Sequence, residues 1–146
     1  MHVTGSCHCG AVSFSADVDE NKVLLCHCTD CQIIASSAFR FGALVQRETF
    51  SITGPVKEYG KVGTSGTRRL QVFCPECGTG LYSCAPDVDD PYISLRLGAV
   101  HQRAELTPVD QIWRRSALPW VARLNEISCS LQQEAIADAI QRHASR

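Results

Sequence analysis

The chain has 146 residues, of which 45% are hydrophobic and 20% charged, and its formal net charge at neutral pH is −1. This composition is typical of a soluble globular protein, and the length suits one domain with a single core. No basic field favours nucleic acid, and no apolar run approaches membrane-spanning length. We therefore expect a single domain over residues 1–146, with no nucleic-acid or membrane partner.

Alternating apolar and polar residues predict short strands in the first half of the chain. One strand covers residues 11–19, where every second residue is apolar. Another covers residues 22–26 and leads directly into a cysteine-rich segment. A third begins at Phe39, with Arg40 and Gln46 on its outer face.

The second half predicts three more strands. Residues 56–62 follow a turn at Gly54-Pro55, residues 69–74 lead into a second cysteine motif, and residues 92–97 alternate cleanly. Short strands separated by turn signals indicate a mainly β architecture of stacked antiparallel sheets.

Only the C-terminal end predicts a helix. Ser130 and Gln133 resemble a capping box, and apolar residues follow at helical spacing to about residue 144. A helix over about 130–144 would pack either on the domain or on a second copy of the chain, so a homo-oligomer is one expected assembly.

The nine cysteines indicate metal binding. The N-terminus lacks the basic and apolar regions of a secretory signal, so we expect a cytoplasmic protein whose thiols stay reduced. Seven cysteines lie in motifs, and two occur singly. They are Cys7-x-Cys9, Cys26-x-Cys28-x-x-Cys31, Cys74-x-x-Cys77, Cys84 and Cys129.

Cys26, Cys28 and Cys31 place three thiols within six residues, with no fourth cysteine close in sequence. A structural zinc usually takes four protein ligands, whereas a catalytic zinc keeps one position open for water or substrate. The triad therefore predicts a catalytic zinc held by these three residues.

The segment Cys74-Pro75-Glu76-Cys77-Gly78 is the strongest local signal in the chain. Its Cys-x-x-Cys turn brings two sulfurs to one metal, and a structural zinc needs a second pair. Cys7 and Cys9 can supply that pair if their segment bends. We favour a structural zinc on Cys7, Cys9, Cys74 and Cys77, because each cluster then stays whole. Spacing alone also allows the turn to join two members of the triad.

Three segments together are characteristic of a known family. They are Gly5-Ser6-Cys7-His8-Cys9-Gly10-Ala11-Val12, Cys26-His27-Cys28-Thr29-Asp30-Cys31-Gln32 and Phe73-Cys74-Pro75-Glu76-Cys77-Gly78-Thr79. In this order they resemble the glutathione-dependent formaldehyde-activating enzyme family, which also includes centromere protein V. The resemblance runs from about Gly5 to Trp120. After the triad, many relatives carry a glycine near the position of Ser36, where this chain has a more apolar loop.

The resemblance implies a β-tent type fold and two zinc ions. The structural zinc would lie on Cys7, Cys9, Cys74 and Cys77, and the catalytic zinc on Cys26, Cys28 and Cys31. It also implies carbon–sulfur lyase chemistry, the reversible joining of glutathione and formaldehyde into S-(hydroxymethyl)glutathione. The partners would be a small-molecule thiol such as glutathione and a small aldehyde.

Other polar residues have simpler interpretations. We expect His27 to be a solvent-facing or supporting residue, because it should point away from the Cys26 and Cys28 side chains. We interpret Asp30 as a surface turn residue, and we expect Cys84 and Cys129 to be small core residues.

The basic pairs and tryptophans also have default interpretations. Arg68-Arg69 and Arg114-Arg115 could meet the carboxylates of a peptide substrate, because guanidinium groups suit that geometry, but solvated surface is the default for each pair. Trp113 and Trp120 are expected in the core or at the rim of a cleft. Two other functions fit the same cysteines, namely a non-catalytic zinc-scaffolded binding module and a thiol redox sensor.

Overall fold

The computed structural model describes residues 1–63 and 66–127, together with residues 129, 138, 140, 141 and 144. These residues form strands and a short α-helix, α1 (Thr29–Ala35), with several stretches of 3-10 helix. The strands are β1 (His2–Ser6), β2 (Ser13–Asp17), β3 (Val23–Cys26), β4 (Arg40–Gln46), β5 (Ser51–Thr53), β6 (Lys57–Val62), β7 (Arg68–Phe73), β8 (Gly80–Cys84), β9 (Tyr92–Arg96) and β10 (Asp110–Ile112).

The strands form two sheets. The smaller sheet has the order β1-β2-β5, and the larger has the order β10-β3-β4-β9-β8-β7-β6. All pairings are antiparallel except that of β10 with β3, which is parallel. The predicted mainly β architecture of stacked sheets is confirmed, with this one parallel pair added at an edge.

The core lies between the two sheets. Phe14 and Ala16 of β2 belong to the same buried cluster as Val45 of β4 and Leu95 of β9. Alternation along β2 puts its apolar residues on one face, and that face is the one covered by the larger sheet. The observed burial therefore follows directly from the pattern in the sequence.

The sequence-predicted strands correspond to β2, β3, β4, β6, β7 and β9, with ends that differ by one or two residues. Four short strands (β1, β5, β8 and β10) and α1 have no counterpart among these predictions. None of the residues of α1 is buried, so this helix carries no amphipathic pattern.

The predicted C-terminal helix over about 130–144 lies largely outside the described residues. Its described members, Asp138, Ile140, Gln141 and Ala144, are helical. In the described part of the chain, no helix has the length and apolar character needed to cross a membrane.

Gly54 holds the turn after β5 close to the segment that precedes β2. Its φ is +107°, and a Cβ at this position would lie 2.2 Å from the carbonyl oxygen of Ala11. We therefore expect Gly54→Ala to lower the free energy of unfolding by about 3 kcal/mol or more, since backbone strain and overpacking both contribute. Urea unfolding of the two proteins measures this change.

Gly60→Ala is the matched control for this turn. Gly60 lies in the edge strand β6, where an added Cβ would make an ordinary 3.7 Å contact with Leu70. We expect its effect to stay within about 0.5 kcal/mol. Equal stability of the two variants would show that the Gly54 turn relaxes without cost.

Candidate active site

Four cysteines from the two sheets meet in one cluster, which we call the four-thiol cluster. Its members are Cys7, Cys9, Cys74 and Cys77, and all their Sγ atoms lie within 4.8 Å of one another. The Sγ of Cys9 is 3.5 Å from that of Cys7 and 3.8 Å from that of Cys74. A tetrahedral zinc with Zn–S bonds of about 2.3 Å needs sulfurs about 3.8 Å apart. The cluster therefore fits a closed tetrahedral zinc site.

Two tight turns create this geometry. In the first, the Gly10 amide donates to the Cys7 carbonyl at 3.1 Å, and Gly10 has a φ of +80°. In the second, the Gly78 amide donates to the Cys74 carbonyl at 2.9 Å, and Gly78 has a φ of +72°. Glycine adopts positive φ without a steric penalty, so each turn can bring two sulfurs to one side. These turns supply the bend that the Cys7-x-Cys9 spacing requires.

Neighbouring groups polarise the thiols of the four-thiol cluster. The Val12 amide donates to the Cys7 Sγ at 3.2 Å. The Thr79 hydroxyl lies 3.2 Å from the Cys77 Sγ, and this contact lowers the pKa of Cys77 to about 5. Donors aimed at sulfur favour the thiolate, which is the form that binds metal.

The triad forms a second cluster where β3 leads into α1. Cys26 ends β3, Cys28 is the N-cap of α1, and Cys31 lies in its first turn. Their Sγ atoms all lie within 4.8 Å of one another, and the Cys28 Sγ accepts a 3.3 Å hydrogen bond from the Cys31 amide. The Cys31 thiol lowers the pKa of Cys26 to about 5, and the same contact raises the pKa of Cys31. Three sulfurs converge here, so the residues present could hold a zinc ion with an open position.

His27 does not face solvent, which was one of the two expectations from the sequence. Its side chain is 0% exposed, and its ring packs edge-on against Phe39 at a centroid distance of 5.6 Å. Its Nε2 lies 3.0 Å from Gln111 Oε1, which also accepts from Arg114 at 2.9 Å. Because that oxygen accepts twice, His27 donates from Nε2. His27 lies at the junction between β3 and α1, where the chain leaves the extended path of the strand. Its buried ring therefore supports this junction.

A cavity of about 620 Å³ opens beside the triad. All three triad cysteines line it, whereas none of the cysteines of the four-thiol cluster does. The helix α1 and the strands β4, β7, β8 and β9 all contribute to its walls. The two clusters therefore differ in their access to this cavity, because its described lining includes the triad thiols and none of the thiols of the four-thiol cluster.

The walls of this cavity are strongly cationic. Its charged side chains are Asp30, Arg40, Lys61, Arg69 and Arg96. Lys61 pairs with Asp30, so Asp30 is a partner in the cavity wall rather than the simple surface turn residue expected. Arg40 was expected to face outward on β4, and that outer face borders the cavity instead of bulk water.

Trp113 stands at the rim of the cavity. It lines the cavity, is 43% exposed and has a φ of 59°, which is unusual for a bulky residue. The guanidinium of Arg115 lies 4.7 Å from its ring centroid. The rim interpretation of Trp113 thus agrees with the structure, and Arg115 stacks on an aromatic ring rather than being only solvated.

The remaining expectations have mixed outcomes. Cys84 is buried in the core as expected, but Cys129 is exposed, so its core assignment was wrong. Trp120 is 47% exposed and packs no core. Arg69 pairs with Asp90 at 3.6 Å in the cavity wall, which corrects its assignment to solvated surface.

This chain is similar to a curated protein, to a solved structure and to a family model. A curated protein of Schizosaccharomyces pombe, named an uncharacterized lyase, is 33% identical over 88 residues, which are 60% of this chain and 61% of that protein. A crystal structure of a Rhodobacter sphaeroides protein superposes with a TM-score of 0.56 over 74% of this chain and 98% of that chain. At 18% identity, this second likeness concerns the fold alone. The model of the glutathione-dependent formaldehyde-activating enzyme family matches residues 2–116. This chain therefore belongs to the glutathione-dependent formaldehyde-activating enzyme family.

Proposed function

We propose that the protein is a zinc-dependent carbon–sulfur lyase that reversibly joins a thiol to a small aldehyde. Glutathione and formaldehyde are the leading pair, with S-(hydroxymethyl)glutathione as the adduct. One observation carries the proposal. The three-thiol cluster borders the cavity of about 620 Å³, and the four-thiol cluster does not. A reactive metal needs such access, whereas a structural metal does not.

The triad residues Cys26, Cys28 and Cys31 would hold the catalytic zinc. When bound, that zinc would stabilise the thiolate form of a substrate thiol near neutral pH. The substrate sulfur then forms a bond to the aldehyde carbon, and the carbonyl oxygen takes up the proton that the thiol has lost. In the reverse direction the hydroxyl loses its proton, the carbon–sulfur bond breaks, and the carbonyl re-forms.

The cavity contributes proximity and a low-water environment. Ile34, Phe39, Phe41 and Trp113 give parts of its wall an apolar surface beside the triad. An aldehyde confined next to a bound thiol reacts in an effectively unimolecular step, and displacement of water strengthens the electrostatic interactions inside the site. These residues therefore act by position rather than by proton transfer.

The four-thiol cluster would hold a second, structural zinc. It ties the segment after β1, in the smaller sheet, to the turn between β7 and β8, in the larger sheet. A metal at this point fixes the two sheets together on one side of the core. The proposal therefore includes two zinc ions per chain and a reducing compartment such as the cytoplasm, in which thiols stay available to metal.

A thiol panel tests this function. Formaldehyde is mixed with glutathione, cysteine or 2-mercaptoethanol, and exchange between free and adduct formaldehyde is followed by saturation-transfer NMR with and without zinc-loaded protein. We expect the protein to accelerate exchange for at least one of these thiols in proportion to its concentration. Exchange rates unchanged for every thiol would overturn the lyase proposal and favour a non-catalytic zinc-scaffolded binding module.

A further inference from the structure

Two arginines in the cavity wall have no carboxylate partner. Arg40 in β4 and Arg96 in β9 line the same cavity as the triad, and each is half-buried. The other cations of the wall, Lys61 and Arg69, pair with Asp30 and Asp90. Among the described residues, no acidic side chain forms an ion pair with Arg40 or Arg96.

Each of these guanidinium groups also has a buried donor without an acceptor. Arg40 Nε and Arg96 Nη1 lie out of reach of water and of any hydrogen-bond partner among the described residues. Burial lowers the pKa of Arg96 to about 9, with a further contribution from Arg40, so Arg96 is still cationic at neutral pH. The triad cysteines interact electrostatically with both arginines, but they leave these two donors without an acceptor. A buried donor without an acceptor is costly, and a bound carboxylate would supply the acceptor.

The position of Arg96 suggests where that counter-charge would sit. Its Nη2 donates to Gln71 Oε1, and this pair stands between the triad cavity and a second cavity of about 450 Å³. Both cavities are lined by Ile34, Gln71 and Arg96. A molecule whose sulfur lies at the triad could therefore extend past the arginines, so there is room for an elongated thiol.

We propose that Arg40 and Arg96 form an anion subsite that binds a carboxylate of the thiol substrate. This inference rests on the proposed function and adds to it the two residues that select thiols carrying a carboxylate. Guanidinium groups suit the role because their planar donors match the oxygens of a carboxylate. Gln71 holds the Arg96 guanidinium in place through the hydrogen bond described above.

A pair of matched thiols tests the subsite. 3-Mercaptopropionate carries a carboxylate, and 2-mercaptoethanol is a small thiol without one. We expect Arg96→Gln and Arg40→Gln each to lower kcat/KM for 3-mercaptopropionate by about 10- to 100-fold, the range for a lost charge-assisted contact, and to change kcat/KM for 2-mercaptoethanol less than about threefold. Arg68→Gln, at an exposed position of β7, is the matched control and should leave both values unchanged.

A binding measurement separates the subsite from the lyase reaction. S-Methylglutathione keeps its carboxylates but cannot form a thiolate, and calorimetry reports its affinity for the zinc-loaded protein without turnover. We expect about 10-fold weaker binding to Arg96→Gln, at an unfolding midpoint no lower than that of the wild type, because a buried donor without an acceptor is removed. Arginine-dependent binding without turnover of any thiol would support the subsite while overturning the lyase proposal.

Two results would overturn the subsite itself. The first is an equal loss of kcat/KM for both thiols, which would mean that the arginines offset the charge of the cysteine thiolates. The second is binding of S-methylglutathione that does not change in either arginine variant.

Discussion

Cys77→Ser is expected to unfold or aggregate the protein. Cys77 belongs to the four-thiol cluster, which joins the segment after β1 to the turn between β7 and β8 and thus links the two sheets. Structural zinc contributes about 10–16 kcal/mol of apparent binding free energy in small domains, which matches or exceeds the usual total stability of about 5–15 kcal/mol. Near-UV circular dichroism and zinc content by mass spectrometry of the purified protein would measure the loss.

The exposure of Cys77 makes this test specific for the metal. Its side chain is partly exposed, so loss of the sulfur alone should cost within about 0.5 kcal/mol. Cys84→Ser is the matched control, because Cys84 is buried in the core outside both clusters. We expect it to cost about 1–3 kcal/mol and to leave the zinc content unchanged. A Cys77→Ser protein with the unfolding midpoint of the wild type would contradict a structural zinc.

Two of the strands predicted from the sequence, β2 and β9, were predictable because their burial is one-sided. In β2 and β9, alternate residues face the core between the sheets, and this periodicity is visible without a structure. By contrast, β10 has a single half-buried residue, Ile112, and exists because its backbone pairs in parallel with β3. Pairing of that kind depends on tertiary placement and leaves no local pattern.

The cysteine clusters were predictable because metal ligands have strict spacing requirements. The surroundings of the triad were not predictable in the same way. Because α1 buries none of its residues, its sequence shows no helical pattern of apolar residues. The burial of His27 next to this helix therefore could not be inferred from the sequence. Alternation correctly placed Arg40 on the outer face of β4. The alternation pattern does not show whether the outer face of β4 meets water or a cavity, because this depends on which distant elements of the chain pack opposite that face.

The two clusters differ in how far apart their cysteines lie in the sequence, and the second prediction follows from this difference. Members of the four-thiol cluster come from distant parts of the chain. The triad lies within six consecutive residues, so a metal there ties no distant elements together. Loss of the triad metal should therefore cost activity without costing the fold.

Cys28→Ser is accordingly expected to lose one of two zinc ions, to keep the fold, and to lower lyase activity by about 10³-fold or more. This factor corresponds to several kcal/mol of transition-state stabilisation from a metal centre. The fold should survive for a local reason as well. Cys28 is the N-cap of α1, and its Sγ accepts from the Cys31 amide at 3.3 Å. Serine is among the preferred N-cap residues, so the new hydroxyl can take over this hydrogen bond.

Zinc content, circular dichroism and formaldehyde exchange with glutathione, measured on one preparation, test all three parts of this expectation. Cys129→Ser controls for the loss of a thiol, because Cys129 is exposed and belongs to neither cluster. Unfolding of Cys28→Ser as severe as that of Cys77→Ser would make the triad a second structural site, and the lyase proposal would fail. Full activity in a folded Cys28→Ser protein with one zinc would instead separate the reaction from the triad. If the triad is an open metal site that faces the cavity, Cys28→Ser keeps its fold and loses both the triad zinc and the reaction.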